Sequence, residues 1–191
     1  MPEIINPNNF RRVLAECAAQ IGGGALHIFG YGSLMWRPGF RVRESAAARV
    51  HGYSRRLSVR STHYRGTAQK PGLVFGLDAG GSCNGVVLFA AGNNERILRN
   101  LFRREMFANV YEPRFVRARL SGGGVVRALT FVVRRDGRQY VPPMPPQRAA
   151  EIIRAAEGFG GGNADYVKNT REELSRRGIP CPQLARLCAL L

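Results

Sequence analysis

At 191 residues with 45% apolar composition, the chain is long enough for one domain with a sizeable core. It contains no run of about 18 apolar residues that would make a membrane-spanning helix. Twenty-nine Lys and Arg, nearly all Arg, against 13 Asp and Glu give a formal charge of +16, which favours anionic ligands.

The N-terminal stretch "MPEIINPNNFRRVLAECAAQIGGG" has no basic segment followed by an apolar one, so it does not read as a secretion signal, and a cytoplasmic protein is expected. It reads as an extension, residues 1–24, with a short amphipathic helix from Phe10 to Gln20 stopped by glycines. Residues 25–191 then form a single domain. "ALHIFGYGS" is a strand running into a glycine turn, and "RVHGYSRRLSVRS" alternates apolar and polar residues as a strand does. "PGLVFGLDAGGSCNGVVLFAA" reads as two strands joined by a turn at Gly-Gly-Ser. Asn93 and Asn94 are candidate caps for the helix "ERILRNLFRREMF", whose Ile97, Leu98, Leu101 and Phe102 make one apolar stripe. "FVRARLSGGGVVRALTFVVRR" is a hairpin, and "PPMPPQ" a crossing that excludes regular structure. Two helices follow, "QRAAEIIRAAEGF" and "ADYVKNTREELSRRG", ended by Gly160–Gly162 and Gly178, then a short helix in "CPQLARLCALL". Strands joined by hairpins and followed by helices indicate an α+β fold.

The charge invites a nucleic-acid reading, because phosphate neutralisation drives non-specific binding. The arginines, however, are spread along the chain in pairs, with no zinc-finger spacing, RNP-like strand or basic heptad region. No obligatory nucleic acid or membrane partner is expected. Cys17, Cys83, Cys181 and Cys188 form no C-x-x-C, and His27, His51 and His63 lie in separate segments without H-E-x-x-H. Reduced, mostly buried thiols and no metal are the expectation.

Two stretches carry chemistry. In "HIFGYGSLMWRPGF" the third glycine of a dinucleotide fingerprint is missing, and Arg37-Pro38-Gly39 prevents the helix it needs. Ser33 follows a glycine directly, which also rules out a G-x-S-x-G elbow. What remains is a strand delivering Gly30 and Gly32 into a bare-backbone turn. It is either a tight turn with two buried aromatics or a nest for a carboxylate, walled by Tyr31 and Trp36. In "FRREMFANVYEP", Glu105 falls on the inward stripe of its helix. A carboxylate there is either salt-bridged to Arg103 or Arg104, or held with a raised pKa as an acid or base.

Taken together, "FGYGSLMWRPGF", "GYSRRLSVRSTHYRGTAQKPG", "RREMFANVY" and "NADYVKNTREELSRRGI" occur in an order that resembles the ChaC-type γ-glutamylcyclotransferase family, from Ile28 to the C-terminus. The resemblance implies a small mixed β-barrel with flanking helices. It also implies cofactor-independent cleavage of glutathione to 5-oxoproline and cysteinylglycine. On the matching positions it makes Glu105 the catalytic acid/base. The turn Tyr31, Gly32, Ser33, Leu34, Met35 and Trp36 becomes the substrate-binding element, and Tyr166 a pocket residue. Arg65 and Gly66 fall in a family motif without an assigned role. "THYRGT" departs from the usual pattern at Tyr64, which leaves open another γ-glutamyl amine or amino acid as substrate. An arginine-rich nucleic-acid-binding protein is the reading from a different class.

Overall fold

The computed structural model describes residues 6–106 and 108–191. Helix α1 (Pro7–Ile21) is capped by the Asn6 side chain, which accepts from the Asn8 N–H at 2.9 Å, and it ends on left-handed Gly22. It is longer than the stretch expected from periodicity, because Pro7 takes the first helical position, where a missing N–H costs nothing. Residues 1–5 of the expected extension lie outside the described residues. Phe10, Val13, Leu14 and Ile21 of α1 pack on the main core, and Phe10 meets Phe102 edge-on at 6.0 Å.

Five strands close a mixed barrel in the order β1-β3-β2-β4-β5: β1 (His27–Gly30), β2 (Val42–Ser61), β3 (Gly72–Ala90), β4 (Tyr111–Leu120) and β5 (Val125–Val133). Most pairings are antiparallel, and β5 closes the barrel by running parallel to β1 (Ile28 beside Leu129) and to β3 (Leu77 beside Val132). The β4–β5 hairpin is as the sequence indicates. The segment expected as two strands is instead one strand, β3, paired with β2 along its length. The pairing passes from His51–Ser82 to Tyr53–Ala79, so Gly80 and Gly81 oppose Gly52. All three have positive φ (96°, 77° and 83°), a backbone state that glycine adopts without steric penalty. The Gly-Gly pair therefore makes a bulge that bends a long ribbon at a barrel corner rather than a reversal. β2 also starts earlier than its alternation suggests, because the Ala-rich stretch from residue 44 to 48 is paired with Gly85–Phe89 despite its low strand propensity.

α2 (Asn94–Glu105) begins on Asn93, whose side chain accepts from the Arg96 N–H at 2.8 Å. Its buried face is Ile97, Leu98, Leu101 and Phe102, and Phe102 meets Phe131 of the barrel edge-on at 5.9 Å. The helix ends at Glu105, and Phe107, expected as its last residue, lies outside the described residues. After the proline crossing come α3 (Pro146–Ala155), a two-residue ribbon of β6 (Glu157–Gly158) and β7 (Gly161–Gly162), α4 (Asn163–Arg176) and α5 (Pro182–Cys188). The glycines expected to end α3 instead build that ribbon. All four cysteines are free; Cys17 and Cys83 are buried, Cys181 and Cys188 half-buried. Among the described residues no helix is long and apolar enough to cross a membrane.

Candidate active site

β1 delivers the chain into the turn at the barrel end. The Tyr31 hydroxyl donates to the Phe131 carbonyl at 2.7 Å, tying the turn to β5. The Arg55 guanidinium donates to the carbonyl oxygens of Tyr31 (2.5 Å) and Asn84 (2.6 Å), tying it to β2 and β3. Gly32 leads into a 3₁₀ turn over Ser33–Met35, closed by Met35 N–H to Gly32 O at 3.0 Å and Arg37 N–H to Ser33 O at 2.7 Å. The start of such a turn leaves the N–H groups of Ser33 and Leu34 without intrahelical acceptors. A Cβ at Gly32 would sit 3.3 Å from the Tyr166 hydroxyl, so the missing side chain keeps that hydroxyl against the turn.

Tyr166 is placed from the opposite side. Asn163, fully buried at the start of α4, accepts from Leu73 N–H at 2.7 Å and donates to Leu73 O at 2.8 Å, clamping α4 to β3. Tyr166 lies nearly one turn further along, where its hydroxyl accepts from the Phe75 N–H at 3.1 Å. Its own proton is left for a ligand. Trp36 meets the Tyr166 ring edge-on at 6.4 Å, and its indole N–H is buried without a hydrogen-bond partner. An orphaned donor of this kind carries a desolvation cost that a bound acceptor would relieve.

Glu105 closes the site as the last residue of α2. Its carboxylate meets Arg104 Nε at 3.0 Å with 14% of its side chain exposed. The same guanidinium donates to the Ser33 hydroxyl at 2.9 Å and to the Arg37 carbonyl, so Arg104 links the turn to the carboxylate. The salt bridge considered from sequence is therefore present, and it sits on the wall of a cavity. Burial raises the Glu105 pKa above the ordinary glutamate value, and the Arg104 charge opposes that rise. Burial also pushes up the phenols of Tyr31 and Tyr166, with the nearby Glu105 charge acting in the same direction, so both stay protonated hydroxyls at ordinary pH.

The cavity measures about 690 Å³ and brings together Tyr31, Gly32, Ser33, Leu34, Trp36, Glu105 and Tyr166. Met35 does not join them; it is 3% exposed and packs into the core. Sequence reading missed Tyr111, which lines the cavity and donates from its hydroxyl to Phe75 O at 2.8 Å, and also Phe75 itself. The signal available was the tyrosine just after the Glu105 segment, at the start of a strand. Arg37, Arg60, Arg65 and Arg104 line the cavity against the single carboxylate of Glu105, so its field favours an anion. Among the described residues no three His, Cys, Asp or Glu side chains are grouped to hold a metal ion.

The cavity is thus lined by one carboxylate, four phenols and an electropositive wall, and the chain that builds it is similar to known proteins. The family model described as "ChaC-like protein" matches residues 26–190. A glutathione-specific gamma-glutamylcyclotransferase of Escherichia coli K12 is 34% identical over 166 residues, covering 86% of this chain and 72% of that protein. The human glutathione-specific gamma-glutamylcyclotransferase 1 is 35% identical over 148 residues, covering 75% and 67%. The crystal structure of a yeast γ-glutamyl cyclotransferase specific to glutathione superposes with a TM-score of 0.78 at 20% identity, covering 87% of this chain and 97% of that one, and so shares its fold. From the barrel and the matched sequence over nearly its whole length, the chain belongs to the ChaC-like family.

Proposed function

We propose that the protein is a glutathione-specific γ-glutamylcyclotransferase with Glu105 as its acid/base. The observation that carries this reading is a carboxylate with a raised pKa, on the wall of an electropositive cavity beside the Tyr31–Trp36 turn, in a chain of this family.

The γ-glutamyl group brings its own nucleophile, an α-amine that is protonated at neutral pH. Glu105 takes a proton from the ammonium, and the freed nitrogen attacks the γ-carbonyl carbon to close a five-membered ring. A new C–N bond forms, the amide bond to cysteine breaks, and 5-oxoproline and cysteinylglycine leave. Of the three ammonium protons, one stays on the ring nitrogen and two end on the departing amine. Glu105 therefore relays protons without net consumption and returns to its starting state. A carboxyl raised toward neutrality is suited to both directions of transfer. Holding the γ-glutamyl arm folded supplies the proximity that makes a protein nucleophile unnecessary.

The turn holds the arm. The N–H groups of Ser33 and Leu34 and the Trp36 indole N–H receive the substrate's α-carboxylate, with the arginine-lined wall drawing it in. The Tyr166 hydroxyl, fixed by the Phe75 N–H, donates its free proton toward the oxyanion that develops on the γ-carbonyl.

The test is release of 5-oxoproline from glutathione by the purified protein, with γ-glutamylalanine and a simple γ-glutamyl amine as parallel substrates. Release from glutathione above the other two supports the reading. Release only from the others reassigns the substrate, and release from none removes the enzyme.

A further inference from the structure

The exposed large apolar side chains among the described residues are Tyr64, Val125 and Phe159, and two of these three stand together at the mouth of the cavity. Phe159 is 84% exposed and Tyr64 53%. His63 completes the group: its ring stacks on Phe159 with centroids 5.9 Å apart and planes 10° apart, and meets Tyr64 edge-on at 5.3 Å. Tyr64 also meets Phe159 edge-on at 6.5 Å. All three side chains line the same cavity as Glu105.

This ledge is held in place by backbone. The Phe159 N–H donates to His63 O at 2.9 Å, and the Gly160 N–H to Tyr64 O at 2.8 Å, so the β6–β7 ribbon is stitched to the loop after β2. A Cβ at Gly158 would lie 2.5 Å from both Gly66 N and His63 O, so a glycine there lets the two segments close on each other. Phe159 is thus pinned outward into water, an arrangement that costs apolar exposure without helping the core.

The ledge is also one side chain away from the reacting centre. The Arg65 guanidinium lies 5.6 Å over the Tyr166 ring and donates to Gly162 O at 3.2 Å, spanning from the phenol beside Gly32 to the ribbon that carries Phe159. With the γ-glutamyl arm at the buried end, the part of the substrate beyond the scissile amide leaves along Arg65 toward these rings.

We propose that His63, Tyr64 and Phe159 form an outer subsite for an apolar group on the amine side of the substrate, which makes thioether-substituted glutathione a substrate class for this protein. This rests on the cyclotransferase reading above. Neither the thiol of glutathione nor its glycine covers three aromatic rings, whereas an alkyl or benzyl group on the cysteine sulfur does. The reaction is unchanged: the same amide bond breaks, the C–S bond stays intact, and the products are 5-oxoproline and S-substituted cysteinylglycine.

The experiment measures 5-oxoproline release from glutathione, S-methylglutathione and S-benzylglutathione by the wild type, Phe159→Ala, Phe159→Leu and Tyr64→Ala. For the wild type, kcat/KM is expected to rise from S-methyl to S-benzyl and to match or exceed that for glutathione. Phe159→Ala is expected to lower the ratio of S-benzyl to glutathione kcat/KM about fivefold, the scale of one aromatic contact, mainly through KM. Phe159→Leu, which keeps apolar surface, is expected to lose less. Glutathione turned over while S-benzylglutathione is refused, or a ratio that neither Phe159→Ala nor Tyr64→Ala moves, overturns the subsite and leaves the cyclotransferase reading standing. Release from no substrate removes that reading and the subsite with it.

Discussion

Asp78 and Glu105 are both carboxylates drawn out of water by the same barrel, and their surroundings push them in opposite directions. Asp78, on β3, is 1% exposed; burial pushes its pKa up, but it accepts from Arg135 Nε at 2.6 Å, the Tyr140 hydroxyl at 3.1 Å and the Ala79 N–H at 2.8 Å, and these bonds hold it below the usual aspartate value. Glu105 has one cationic partner, and that partner is shared with Ser33 and the Arg37 carbonyl, so burial prevails and its pKa rises. A carboxylate held by three hydrogen bonds serves the fold. One left short of partners beside a cavity keeps the capacity to take and give a proton.

The contrast breaks most visibly at Glu105. Glu105→Gln is expected to lower kcat for 5-oxoproline release by at least about 100-fold, the range of a lost general acid/base. Its stability should move the other way. A carboxyl whose folded pKa is raised stabilises below its unfolded pKa and loses that contribution as pH climbs through the folded one, so at pH 7 the amide variant is expected to unfold at the same or higher denaturant concentration than the wild type. A variant that is both inactive and markedly less stable would place Glu105 with Asp78 as a structural group.

Asp78→Asn should show the reverse pattern. Losing the charge-assisted bonds from Arg135 and Tyr140 is expected to cost about 2 kcal/mol of stability, read from urea unfolding, with kcat per folded molecule unchanged. Because the folded pKa of Asp78 is depressed, its contribution is present above the unfolded value of about 4 and is lost as pH falls below it. Wild type and Asp78→Asn should therefore converge in stability under acid.

Two smaller effects sharpen the Glu105 side. Tyr166→Phe removes the hydroxyl that accepts from Phe75 N–H and faces Gly32, and about a tenfold loss in kcat/KM with little change in fold is expected. Arg104→Gln removes the charge that opposes the rise in Glu105. The acid limb of the pH–kcat/KM profile should move to higher pH, and KM should rise because the Ser33 turn loses its tether. A limb that moves to lower pH would reverse the role assigned to Arg104.

Much of this site was legible because it depends on local sequence. The apolar stripe of α2 fixes which way Glu105 faces, and Gly32 with Ser33 marks a turn where side chains would interfere. The parts that escaped depend on which distant segments meet. Phe75 reads as an ordinary strand residue, and only the approach of α4 and of the start of β4 turns its N–H and carbonyl into anchors for Tyr166 and Tyr111. Phe159 lies between glycines that read as a helix stop, and the ledge appears only when β6–β7 is stitched to the loop after β2. Gly80-Gly81 was misread for a related reason. A glycine pair permits both a hairpin and a bulge, and the choice is made by the partner strand, the twenty-residue β2, which pairs with β3 on both sides of the glycines.

The most direct measurement is the titration of the Glu105 carboxyl by ¹³C NMR, with Glu105→Gln to assign the resonance, set beside the pH dependence of kcat/KM. The expected result is a carboxyl that titrates above the ordinary glutamate value of about 4.3, with a kinetic acid limb at the same pH that disappears in Glu105→Gln. A Glu105 that titrates at or below that value, or an acid limb that persists in the variant, would contradict its assignment as the acid/base.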